Sequence, residues 1–138
     1  MLTIDQATEF GKRAVERLRD ESIIWLTTVA KDGSPFPKPV WFFWDGETVW
    51  IYSQPGALAV KHIARSPRVS LSFDGGQGPG GVIALTGTSE CAAAEGHNAA
   101  FLAKYAEKLP ALTAQYGEDF PVLYTVLIRV VPDRIMGH

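Results

Sequence analysis

The sequence predicts an α+β protein built around a six-stranded antiparallel barrel with flanking helices. Three observations lead there. Short apolar runs of β character are joined by tight turns, two of them carrying Asp-Gly. Stretches with helical spacing fall at the start, in the middle and near the end of the chain. Strands and helices do not alternate regularly enough for a parallel, doubly wound sheet.

Each element has its own justification. Residues 3–19 repeat Ala7, Phe10, Ala14 and Leu18 at helical spacing, with Thr3 or Asp5 as N-cap and Gly11 as a weak point. Ile23 to Ala30 reads as a first strand, and Lys31 to Ser34 as its turn. Pro35, Pro37 and Pro39 then keep the chain extended and remove every second donor, which predicts an edge or a bulge. Val40 to Trp44 is the second strand and Thr48 to Ser53 the third, hinged at Asp45-Gly46. Pro55-Gly56 breaks the chain before a short helix, Ala57 to Arg65. Ser66-Pro67 ends that helix, and Arg68 to Phe73 is the fourth strand. Asp74 to Gly81, DGGQGPGG, is expected to be a mobile hairpin loop ahead of the fifth strand, Val82 to Ala92. Glu95 to Leu109 reads as one helix, Pro110 to Tyr116 as a shorter one closed by Gly117, and Leu123 to Val131 as the last strand. With no repeat and no linker, residues 1–138 are expected to form a single domain.

Bulk properties exclude several classes. At 138 residues, 46% hydrophobic and 20% charged, the composition is that of an ordinary soluble domain with a real core. A formal net charge of −2 gives no chain-wide basic field, so neither nucleic acid nor an anionic membrane is an expected partner. A single cysteine, Cys91, allows no internal disulfide and reads as a small core residue; a cytoplasmic location fits. No apolar run is long enough to span a bilayer, and MLTIDQATEF has no signal-peptide core. No Gly-x-Ser-x-Gly elbow is present, and His62, His97 and His138 have no metal-ligand spacing. His97, near a helix start, reads as a solvated residue. The glycines of residues 74–81 lie between two strands, without the strand-to-helix context of a dinucleotide loop.

Val40 to Trp44, VWFFW, is apolar at five successive positions. A strand with one solvated face alternates, so both faces here must be covered. Too few helices remain for that job, which predicts a homodimer with part of its interface on Val40 to Trp44. Taken alone, the aromatic run reads as core and interface, and Lys61, His62 and Arg65 as the solvated face of a short helix. Together they suggest more. Tyr52-Ser53-Gln54 ends a strand, the helix follows at once, and Lys61 projects from it. A phosphate there would gain a charge-assisted hydrogen bond of about 1.5–3 kcal/mol, beside apolar walls able to cover a flat ring.

The segments WLTTVAKDGSPFPKPVWFFWDG, YSQPGALAVKHIARSPRVSLSF and VIALTGTSE, with RVVPDRIMG at the close, resemble the pyridoxamine 5′-phosphate oxidase-like superfamily, the flavin-binding split β-barrels. More narrowly they resemble its short actinobacterial-type branch that uses the deazaflavin coenzyme F420. The resemblance covers roughly residues 20–93. It implies a split barrel and a homodimer with two cofactor sites at the subunit interface. It implies that Pro39, Val40, Trp41 and Phe42 lie along the ring system, that Tyr52, Ser53 and Gln54 line the end of the third strand, and that Lys61 is the phosphate-binding cation. FMN oxidases of the superfamily commonly carry an Arg just before that Lys; Val60 stands here, leaving room for the longer F420 tail. The expected function is F420-dependent hydride transfer to a small unsaturated organic substrate, with no side chain required as a base. The alternatives are an FMN-dependent oxidase or reductase, or a cofactor-binding dimer without turnover.

Overall fold

The side chains of Asp5 and Thr8 decide where the first helix begins. In a computed structural model that describes residues 2–75 and 81–137, the Asp5 carboxylate accepts the Ala7 N–H at 2.9 Å, and Thr8 Oγ1 accepts the Gly11 N–H at 2.9 Å. Thr8, not Thr3 or Asp5, is therefore the N-cap, and α1 spans Glu9–Asp20. Gly11 is a requirement here: a Cβ on it would lie 1.8 Å from the Asp5 carbonyl oxygen. Helix propensity is traded for close approach of the N-terminal arm.

Seven strands follow: β1 Ile24–Val29, β2 Pro35–Val40, β3 Phe43–Trp44, β4 Val49–Ser53, β5 Arg68–Phe73, β6 Ile83–Ala93 and β7 Val126–Gly137. They form one sheet in the order β2-β1-β5-β6-β7-β4-β3, antiparallel throughout. The α+β class holds, and the proline-bearing β2 sits at an edge, where its missing donors cost no ladder bonds. The count of six strands is corrected to seven because Val40 to Trp44 is not one strand. The chain leaves β2 at Val40, crosses through Trp41 and Phe42, and joins the opposite edge at Phe43, which pairs with Trp50.

That crossing curls the sheet. Three peptide steps from Val40 to Phe43 hold the two outermost strands within about 11 Å of each other. The result is a barrel with an unpaired seam between β2 and β3. At the seam, side chains replace the ladder. The Tyr105 hydroxyl accepts the Phe42 N–H at 2.8 Å and donates to the Ser22 carbonyl at 2.8 Å, and Lys104 Nζ donates to the Phe42 carbonyl at 2.9 Å.

Inside the barrel, Leu26, Ile51, Leu71, Leu85, Ile128 and Val130 pack together, closed by Ala14 and Leu18 of α1 and by Ala59 and Ile63 of α2 (Leu58–Arg65). A second cluster lies on the other face of β4 and β7. It joins Tyr52 to Phe101 and Tyr105 around α3 (Ala99–Lys104) and to Phe120 of α5 (Phe120–Leu123). Between them runs α4, Leu109–Tyr116, closed by Gly117 at φ 79°.

This second cluster corrects three expectations. Glu95 to Leu109 is not one helix: Asn98 caps α3, which ends where the Tyr105 ring turns inward to Phe42. The short α5 and its Pro121 were not anticipated, and β7 starts later and runs on past Pro132 to Gly137. A Cβ on Gly87 would sit 2.5 Å from the Val131 oxygen, so a glycine is what lets β6 follow β7 through its register shift. In the apolar run Val40 to Trp44 only Phe42 is buried, while Val40, Trp41, Phe43 and Trp44 are half-buried. Phe42 is fully buried, and the Trp41 ring stacks on Tyr105 at 4.4 Å.

Residues 76–80 and His138 lie outside the described residues, so the loop expected over Asp74 to Gly81 is seen only at its ends. There Arg17 donates to the carbonyls of both Asp74 and Gly81. Among the described residues no helix is long and apolar enough to cross a membrane.

Candidate functional site

A cleft of about 870 Å³ opens where the end of β2, the end of β4 and the start of α2 face α4 and α5. Pro39, Val40, Trp41, Tyr52, Ser53 and Gln54 line it together. Two residues grouped with them by sequence do not. Phe42 is buried at the seam, and Lys61 is exposed on α2, outside the lining. Its backbone N–H donates to the Ala57 carbonyl, which places it one helical turn beyond a lining residue.

The sheet side of the cleft is firmly held. Tyr52 is buried, its hydroxyl accepts the Asn98 N–H at 2.8 Å, and its ring meets Phe101 edge-on at 4.8 Å. The Gln54 carbonyl accepts the Ala57 N–H at 3.1 Å, fixing the turn from β4 into α2. His62 is not on a solvated face, as its neighbours Lys61 and Arg65 suggested. It is buried, with Nδ1 2.8 Å from Thr28 Oγ1 and its ring edge-on to Phe36 at 5.4 Å, and so it pins α2 to β1. His97 is likewise half-buried rather than solvated. Its Nε2 lies 2.7 Å from the Tyr124 carbonyl and its ring 4.6 Å from that of Tyr52.

The helical side is looser. No residue of α4 is fully buried. One face lines the cleft through Lys108, Ala111, Leu112, Gln115 and Tyr116, and a second hollow of about 670 Å³ lies against Leu109, Pro110, Thr113 and Ala114. The Thr113 hydroxyl donates to Asp119 at 2.9 Å, one of the few polar ties of this helix.

Sequence reasoning missed Lys38, the α4 residues, Phe120 and Tyr124. A signal existed for Lys38, an exposed residue alternating with prolines on an edge strand. For the helical residues the element itself was legible, since Pro110 to Tyr116 closed by Gly117 lies within one residue of α4, but no local signal shows which of its faces meets the cleft.

Charge chemistry near the site is concentrated at the seam. Burial pulls the Lys104 ammonium down to about 8, against opposing pull from Asp20 and Glu21. Burial also raises the Tyr105 phenol, and it raises the half-buried Cys91 thiol. In the β3–β4 turn, partial burial of Asp45 is outweighed by hydrogen bonds from Trp50, Thr48 and Glu47, which hold its carboxyl at about 2. Among the described residues no group of His, Cys, Asp and Glu is arranged to hold a metal ion.

Solved structures share this architecture. An F420 reductase is 24% identical, with a TM-score of 0.66 over 88% of this chain and 94% of its own. A Listeria innocua protein provisionally assigned as a pyridoxamine 5′-phosphate oxidase is 22% identical, with a TM-score of 0.63 over 91% and 95%. An FAD-binding protein from Mesorhizobium loti is 19% identical, with a TM-score of 0.56 over 88% of each chain. At these identities the likeness establishes the fold. No curated protein is significantly similar in sequence. The profile of the pyridoxamine 5′-phosphate oxidase family, however, matches residues 10–135, nearly the whole curled sheet and its helices. The chain belongs to the pyridoxamine 5′-phosphate oxidase family.

Proposed function

We propose that this protein is an oxidoreductase that binds coenzyme F420 in the cleft and uses it for hydride transfer to a small unsaturated organic substrate. The observation that carries the reading is the make-up of the cleft. The β2 end, Pro39 to Trp41, offers an extended apolar wall, and Tyr52 to Gln54 offers the polar end of a neighbouring strand. The volume of about 870 Å³ lies in the roughly 300–1,000 Å³ range of small-molecule sites. Family membership and a structural neighbour that is an F420 reductase support the choice of cofactor.

When bound, F420 supplies a two-electron hydride carrier. This chain's residues then have three tasks. Pro39, Val40 and Trp41 fix the plane of the ring. Tyr52, Ser53 and Gln54 supply polar contacts at its edge. Lys61, one turn beyond Ala57, holds the phosphate where the tail leaves the cleft. Trp41 and Phe120 keep water from the ring, and Tyr105 and Lys104 hold the Trp41-Phe42 crossing that carries that wall.

The protein acts as a homodimer in the cytoplasm. The outer sheet face bearing Trp25, Ser72, Ala84 and Met136 supports the dimer: these residues pair in one row, and Trp25 and Met136 remain 39% and 45% exposed. FMN is the second reading for the cofactor; the Mesorhizobium loti neighbour, named as FAD-binding, supports a flavin in general.

Titrating the cofactor-free protein with F420 and FMN side by side decides the matter. Saturable F420 binding, followed by hydride transfer to enones or quinones, is the expected result. Tight FMN binding without F420 binding selects the second reading. F420 binding without transfer to any acceptor makes the protein a carrier, and binding of neither overturns the proposal.

A further inference from the structure

Of the six lysines in the chain, five are exposed and Lys104 is half-buried. It stands at the unpaired seam of the barrel. Its Nζ lies 3.7 Å from the centre of the Phe42 ring and 5.4 Å from that of Tyr105, and it donates to the Phe42 carbonyl at 2.9 Å. That bond is not redundant. Tyr105 has one hydroxyl proton for two carbonyls, Ser22 at 2.8 Å and Phe42 at 3.0 Å. Among the described residues no carboxylate forms an ion pair with Lys104. Asp20 and Glu21, where α1 ends, pull on its proton from further off, and Lys108 opposes them. Burial outweighs that pull, so the ammonium lets go near 8. At about pH 7.5 such an amine is roughly one-quarter neutral, against roughly one part in a thousand for an ordinary lysine.

We propose that Lys104 is a modification site, an amine at the barrel seam that takes acyl groups from small acyl thioesters. The Nζ lone pair attacks the thioester carbonyl carbon. A C–N bond forms, the C–S bond breaks, and the thiolate leaves and takes up the proton that Nζ gives up. The seam geometry selects this reaction among those open to a lysine. The amide product is uncharged, which removes the burial cost of the ammonium, and it keeps one N–H for the Phe42 carbonyl. A neutral imine would carry no N–H, and a methylated amine would stay charged. A neutral thioester also meets no repulsion from Asp20 and Glu21, whereas an acyl phosphate does. Lys104 lies outside both hollows, so the reaction does not depend on what the cleft holds.

The test is incubation of the native protein with S-acetyl-N-acetylcysteamine, with peptide mapping by mass spectrometry giving a rate for each lysine. At about pH 7.5 Lys104 should be acetylated about 10-fold faster than any of the other five, since the weaker nucleophilicity of a less basic amine offsets only part of its gain in neutral fraction. Its rate should level off above about pH 8.5 while the exposed lysines keep climbing. Asp20→Asn should move that levelling to lower pH, and unfolding in urea should abolish the preference.

Stability supplies a second readout, one that acetylation of an ordinary surface lysine would not move. Protein acetylated at Lys104 should lose the rise in urea midpoint expected between pH 8 and 10. Equal rates at all six lysines, or a Lys104 slower than the exposed five, overturns the site. A preference that survives unfolding in urea overturns it too, because the seam would then have no part in it.

Discussion

Along one wall of the cleft, Ile51, Tyr52 and Ser53 are buried and laddered to Ile128, Leu127 and Val126 of β7. Along the other, α4 has no fully buried residue and open space on two sides. The sheet wall is fixed by backbone pairing and a packed interior, so it can define a position. The helical wall rests on a few side chains of the outer aromatic cluster, so it can adjust to what enters.

Substitutions on the two walls should separate these roles. Ile51→Ala empties a site 1% exposed that belongs to both core and cleft, and should cost about 2–5 kcal/mol in urea unfolding. The matching change across the cleft, Leu112→Ala, should cost no more than about 1 kcal/mol, because Leu112 is only half-buried. Equal losses would erase the distinction between the walls.

Tyr105→Phe tests the hinge between them. It leaves the Phe42 N–H buried without its acceptor, at a cost of about 1–3 kcal/mol. It should also loosen the Trp41 stack, seen as a changed tryptophan fluorescence maximum. An unshifted spectrum with unchanged stability would mean that the crossing does not depend on that hydroxyl. A smaller effect is expected at Gly117, whose φ of 79° ends α4 with nothing within 4 Å of an added Cβ. Gly117→Ala should therefore cost about 1 kcal/mol from backbone strain alone, with no clash.

The subtlest effect is on pH. The unfolded chain keeps a proton on Lys104 up to about 10.5, whereas the folded chain releases it near 8. Over that interval the unfolded state binds more protons, so stability should rise as pH climbs from 8 toward 10. Tyr105 has the opposite sign: its phenol is raised in the fold, so its contribution falls as pH passes 10. Urea midpoints measured across this range should climb and then turn over. Lys104→Met should remove the climb and keep the fall.

The same contrast governs what the sequence made legible. The sheet wall was readable because its signals are local. Asp45-Gly46 turns where expected, and Arg68–Phe73 forms the strand as bounded from sequence. Pro39, Val40, Trp41, Tyr52, Ser53 and Gln54 were grouped and do share the cleft. The helical wall was readable as an element, Pro110 to Tyr116 closed by Gly117, but not in its placement, since distant partners set what surrounds it. Tyr105 continues a helical pattern by spacing, yet its hydroxyl is claimed by a backbone 63 residues away. His62 looks like part of a charged face, but Thr28, 34 residues earlier, takes it into the interior. With α3 cut short, the place of Lys108 at the head of α4 could not be foreseen.

The β4–β7 pairing has a consequence for the order of assembly. β1 with β2 and β5 with β6 are neighbours along the chain, and each can zip early. β4 must instead wait for β7, the final strand, because Val49 pairs with Val130 and Ser53 with Val126. Until that long loop closes, Tyr52 and Leu127 offer no floor for the aromatic cluster, and α3 to α5 have nothing to rest on. The β1–β2 and β5–β6 pairs can therefore form ahead of the sheet wall of the cleft, and binding capacity arrives only when β4 and β7 meet.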